Sequence, residues 1–222
     1  MPFQTVGPES PFAKYAGVVP ENFLRILAFK ESGFRPEIVH PKSHATGLFQ
    51  ITSTALNTFN QRNNTKVALA QLVDPDLNTR VASQHLAGVI NVYKKYRSLQ
   101  PDWTSRRWLE LLTLGWNAGH NAIANIAARM ESAGLPNERI NIDTVRQAAE
   151  AVGGSSKYVA DPARVSWSKS VASMFLGGAS PRGLARTVVE SAESTVGKTI
   201  LVVTGLVLVA LEIVRRRKER TA

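Results

Sequence analysis

With 222 residues the chain can bury one good core, so one domain with an extension is expected rather than two full domains. It has no cysteine, which excludes disulfides, thiolate zinc sites and cysteine nucleophiles, while 44% hydrophobic and 20% charged residues describe an ordinary globular chain. A formal charge of +10 draws it to polyanions such as nucleic acid, anionic lipid headgroups or the acidic polymers of a bacterial wall, unless the excess serves solubility alone.

Residues 1–19 read as an extended N-terminal arm, with Pro2, Pro8 and Pro11 in its first dozen positions. They show neither the basic n-region nor the apolar h-region of a secretory signal. Helical periodicity begins after Val19. Pro20 suits a first helical position, Glu21 suits the positive helix start, and Phe23, Leu24, Leu27, Ala28 and Glu31 fall on adjoining faces. Gly33 then supplies a left-handed stop. Turn formers fill 36–50, and a helical pattern resumes over 54–59. Asp74-Pro75-Asp76 opens a long helix whose apolar side is Leu77, Val81, Leu86, Val89, Ile90 and Tyr93. Further helices are predicted over 105–114, 118–130 and 142–151, and no alternating strand pattern stands out. The fold class is all-α.

Chemistry concentrates at Glu31. It closes an apolar helix, where the negative end of the helix dipole and the neighbouring Phe23, Leu27 and Phe34 both disfavour its ionisation. A carboxylic acid that keeps its proton at neutral pH can serve as a general acid for glycoside cleavage. Just beyond it runs Ser43-His44-Ala45-Thr46-Gly47-Leu48-Phe49-Gln50-Ile51, a glycine-containing glutamine turn. Glu31-Ser32-Gly33-Phe34 followed by Ala45-Thr46-Gly47-Leu48-Phe49-Gln50-Ile51 resembles the signature of the soluble (SLT) lytic transglycosylases, relatives of goose-type lysozyme. Asp74-Pro75-Asp76-Leu77-Asn78, Gly115-Trp116-Asn117-Ala118-Gly119 and Lys157-Tyr158-Val159 resemble three more elements of that family, in the family's order. The resemblance covers 20–165.

It implies a lysozyme-like catalytic domain that breaks the β-1,4 bond between N-acetylmuramic acid and N-acetylglucosamine in peptidoglycan, leaving a 1,6-anhydro-muramyl end. Glu31 is then the sole acid and base. Ser32 and Gln50 contact the bound sugars, Gly47 lets the backbone approach them, and Asn117 and Tyr158 line the cleft, Tyr158 within hydrogen-bonding reach of Glu31. The family needs no cofactor and no metal. Goose-type hydrolysis, or an inactive wall-binding protein of the same fold, remain alternatives. Trp116 stands where the family has tyrosine, keeping an aromatic wall without the hydroxyl; Phe49 replaces the commoner methionine, and His44 a small residue. Asp74, Asp102, Glu110 and Asp143 are acids that the sequence leaves free to face Glu31. His40, His44, His85 and His120 show no paired metal spacing, and Trp103, Trp108 and Trp116 divide between core and sugar platform. Gly197-Lys198-Thr199 lacks the upstream glycine and strand of a phosphate-binding loop.

From Ser166 the composition changes. Residues 166–183 read as a linker, and 184–222 as an amphipathic helix that becomes a transmembrane one with a basic tail. The apolar run ends at Val214 and, as a helix, spans about 22 Å, short of the roughly 30 Å hydrocarbon core unless Lys198 and Arg215 snorkel. Packing against partner subunits is the alternative. Arg215, Arg216 and Arg217 favour a cytoplasmic end and allow a weak contact with nucleic acid. An outward-facing wall enzyme without an export signal fits a phage virion component, carried with other virion proteins to periplasmic peptidoglycan for genome entry.

Overall fold

The structure, a computed structural model, describes residues 10–178. Nine α-helices order those residues: α1 (Pro11–Lys14), α2 (Glu21–Ser32), α3 (Ser53–Asn63), α4 (Pro75–Tyr93), α5 (Arg106–Ala118), α6 (His120–Ser132), α7 (Ile142–Val152), α8 (Lys157–Ala160) and α9 (Pro162–Leu176). The only β pairing among them is two isolated bridges, Val39 with Thr46 and Thr46 with Ile51. The all-α expectation agrees with this.

The helix ends follow local chemistry. Glu21 sits in the first turn of α2 and takes Arg25 one turn on, at 2.5 Å. The helix stops at Gly33, which adopts φ 63° and donates its N–H to the Phe29 carbonyl. Asp74 caps α4 through a 2.9 Å bond from the Leu77 N–H, with Pro75 at the first position. One face of α2 buries Phe23, Leu24, Ile26, Leu27 and Ala28, and α4 buries Val81, Leu86, Val89, Ile90 and Tyr93. Each of the larger aliphatic and phenylalanine side chains among them contributes about 2 kcal/mol. The Tyr93 hydroxyl donates to the Leu111 carbonyl at 3.1 Å, locking α4 to α5, and burial pushes its pKa upward.

Two expected boundaries are corrected. The arm assigned to 1–19 contains α1, whose Phe12 is buried against Phe34 and Phe49, with ring centroids 6.2 and 6.1 Å away. Ser10 caps this helix and accepts from Arg25, while Lys14 and Tyr15 both bond Asp76 on α4. The linker assigned to 166–183 is occupied as far as Leu176 by α9. That helix packs chiefly on α5 and also on α2. Arg106 donates to Ser173, Lys30 donates to Ser170, and Phe175 meets Phe23 at 5.5 Å. Helix α9 continues the fold to Leu176, so the boundary falls after α9 instead of at 165.

Among the described residues no helix is long and apolar enough to cross a membrane. The run expected to do so, 199–214, lies outside the described residues, as do the amphipathic helix and the basic tail.

Candidate active site

Glu31 sits in the last turn of α2, beside a cleft of about 970 Å³ that is lined by Gln50, Trp116, Asn117, Tyr158 and Arg164 among others. Part of its surface stays open to that cleft. Enough protein surrounds the carboxyl group that burial pushes its pKa from 4.5 to about 7. Three groups oppose the shift: the Trp116 indole, which donates its N–H to Oε1 at 2.7 Å, and the positive charges of Arg164 and Lys30. Burial wins. The side chain is held where it can carry or release a proton near neutral pH, as a general acid must.

Phe23 packs edge-on against Trp103 and Phe175, and Phe34 packs against Phe12 and Phe29. The aromatic group on the carboxylate is Trp116, seated between Phe49 and His85 at centroid distances of 6.4 and 5.3 Å. Tyr158 makes no hydrogen bond with Glu31. Its ring lines the cleft, 48% exposed, 5.3 Å from the Arg164 guanidinium. The hydroxyl that Trp116 lacks is thus replaced by its own indole N–H.

Gln50 and Asn117 both reach the cleft. Gln50 sits at φ 46° and spends both amide hydrogens on backbone carbonyls, those of Ile38 and Gly47, which leaves its amide oxygen as an acceptor. Asn117 is anchored by Arg164, which donates to both its carbonyl and its side-chain oxygen.

Two expected sugar contacts are corrected. Ser32 is only 3% exposed and donates its hydroxyl to the Ala28 carbonyl, so it satisfies the helix end and does not line the cleft. Gly47 is also absent from the cleft wall. Its φ of 82° and missing Cβ serve the Asn78 amide: a Cβ there would lie 2.1 Å from Nδ2 and 2.2 Å from the Leu72 carbonyl. Asn78 is fully buried, accepts from the Phe49 N–H and donates to Thr46 and Leu72, which ties the glutamine turn to α4.

Among the described residues Glu31 is the one carboxylate of the cleft. Asp74 caps α4, Asp102 accepts from Thr104, Glu110 faces Arg106 at 3.9 Å, and Asp143 pairs with Lys169 at 2.8 Å. No group of three or more acidic or histidine side chains among those residues is placed to hold a metal ion. Of the tryptophans, Trp108 is fully buried with its indole on the Leu99 carbonyl, and Trp116 is the one in the cleft. Sequence reasoning missed Arg164, which sits on an unexpected helix, and also His85 and His120, whose rings meet at 5.9 Å across α4 and α6.

The family model for the transglycosylase SLT domain matches residues 11–137, more than half of the chain. The chain belongs to that family. It therefore carries a transglycosylase SLT domain. Tyr158 and Arg164 lie beyond the SLT match. Among solved structures, the 70 kDa soluble lytic transglycosylase SLT70 from Escherichia coli is similar at 19% identity and a TM-score of 0.48, over 78% of this chain and 25% of that one. The chain thus spans about a quarter of that protein's length. No curated protein matches it.

Trp116 and Arg164 both favour the ionised form of Glu31, so removing either should move its pKa above about 7. Trp116→Phe and Arg164→Gln are expected to carry the alkaline limb of kcat/KM to higher pH, with Arg164→Gln also lowering kcat by releasing Asn117. Rate profiles on soluble glycan strands between pH 5 and 9 would show it, and limbs left in place would refute the electrostatic account.

Proposed function

We propose that the protein cleaves the β-1,4 bond between N-acetylmuramic acid and N-acetylglucosamine as a lytic transglycosylase, with Glu31 as its only acid and base. The observation that carries this is a single half-buried carboxyl group, poised near pH 7, in a cleft that holds no second carboxylate among the described residues. Protonated Glu31 donates to the glycosidic oxygen as the bond to the muramyl C1 breaks. The carboxylate so formed then takes the proton of the 6-hydroxyl while that oxygen bonds C1, closing the anhydro ring. Glu31 regains its proton and no water is consumed, in contrast to the usual pair of carboxylates. Gln50, Asn117 and Tyr158 hold the sugars, Asn117 through the anchor from Arg164.

Digestion of purified sacculi followed by product mass analysis tests the assignment. Ends lighter by one water than reducing ends are expected; reducing ends would mean hydrolysis of the goose-lysozyme kind, and no cleavage would mean a wall-binding protein. The setting is a further proposal: a virion-borne enzyme whose C-terminal apolar run seats in a membrane, facing peptidoglycan. Its support is the uncharged stretch from Thr199 to Leu211 with Arg215, Arg216 and Arg217 beyond it. Mass spectrometry of purified particles should find the chain there, and its absence would overturn the setting.

A further inference from the structure

Part of the cleft wall is cationic and has no role in the proton transfers. Beyond Trp116 it is built by His85 of α4 and His120 of α6, and by Arg62 near the end of α3. Arg62 differs from the other guanidinium of the cleft. Arg164 is engaged by Asn117 and lies 3.5 Å from Asp161, whereas Arg62 has no hydrogen-bond or carboxylate partner among the described residues.

The backbone makes room for it. Gly88, one turn beyond His85 on α4, would as alanine place a Cβ 2.5 Å from Nη1 of Arg62, so the guanidinium lies against bare helix. Burial and the Arg62 charge both depress the two imidazoles, His85 to about 4, so at neutral pH they are uncharged and able to hydrogen-bond or stack. An exposed planar cation on the same wall as two neutral rings, in a groove whose one acid among the described residues is Glu31, fits a planar anion.

We propose that Arg62, flanked by His85 and His120, is a carboxylate-binding subsite that takes the peptide stem of the strand being cleaved. The N-acetylated sugars of such a strand are neutral, and the carboxylates near its glycosidic bonds belong to the peptides attached through the muramyl lactyl groups. The subsite rests on the reading of this cleft as glycan-cleaving. It makes the enzyme selective for strands that still carry charged stems.

The test compares soluble peptidoglycan strands with the same strands after conversion of their stem carboxylates to methylamides, which removes charge and keeps the peptide. The full-length enzyme should prefer the charged strands by about tenfold in kcat/KM, mainly through KM, as expected for one charge-assisted hydrogen bond. Arg62→Gln should erase that ratio. Gly88→Ala should shrink it without lowering the melting temperature, since alanine is the better helix former. Equal treatment of both strands by the wild type, or an equal loss on both in Arg62→Gln, overturns the subsite. Calorimetric binding of charged and methylamidated stem-bearing disaccharides to Glu31→Gln separates the two readings. A preference in affinity without any cleavage by the wild type would leave the subsite standing and remove the lytic assignment.

Discussion

Glu31→Gln is expected to lower the release of anhydro-muramyl ends by about three orders of magnitude, within the range for loss of a general acid. Binding of the strand should survive, because the glutamine oxygen can still accept from the Trp116 indole at the position of Oε1. The same substitution should stabilise the fold at alkaline pH. The folded-state pKa of Glu31 is raised, so its contribution to stability is fully present below 4.5 and is lost as pH rises through about 7. The loss is on the order of 1–3 kcal/mol, discounted for the part of the group that the cleft leaves open. Glutamine does not titrate. The melting temperature of the variant should match that of the wild type near pH 4.5 and exceed it at pH 8. Sacculi cleared as fast by the variant as by the wild type would end the assignment of Glu31.

Gly47→Ala should be the most damaging of the conservative substitutions. Its cost combines a left-handed backbone at φ 82° with a collision against Asn78 and the Leu72 carbonyl, one of them main chain that cannot swing aside. Displacing Asn78 would strand the Phe49 N–H and two buried carbonyls. A loss of about 3–5 kcal/mol is expected, from strain plus unsatisfied buried groups. Gly134→Ala provides the control, since that glycine has φ 79° but open space around its Cβ position. It should cost only about 1 kcal/mol. Urea titrations of both variants would decide, and equal costs would refute the role given to Asn78. Activity should fall with Gly47→Ala as well, because Gln50 donates its own N–H to the Gly47 carbonyl.

Helix positions were largely legible because Gly33, Asp74-Pro75 and the three-to-four spacing of Phe23, Leu24 and Leu27 act locally. Three helices were not. The four residues of α1 and the four of α8 are too short for a period, and α9 buries Val165, Ser168, Val171 and Ala172, a narrow stripe that reads as linker composition. Within the cleft, Glu31, Gln50, Asn117 and Tyr158 came from motif strings, and the structure gathers them. Ser32 shows the limit of such strings: adjacent in sequence to the acid, it points to the helix backbone. Arg164, His85, His120 and Arg62 sit on four different helices, and only tertiary closure brings them to one wall.

The seating of α1 and α9 bears on how the enzyme can be shortened. A piece trimmed to 20–165 would strip Phe12 from the Phe34 and Phe49 rings and cut α9 in its first turn, discarding Ser170, Ser173 and Phe175. Arg164 would remain on a stub stripped of most of the packing of α9 on α5 and α2. The stretch that marks kinship, 11–137, is therefore shorter than the stretch that must fold together to hold the acid in place.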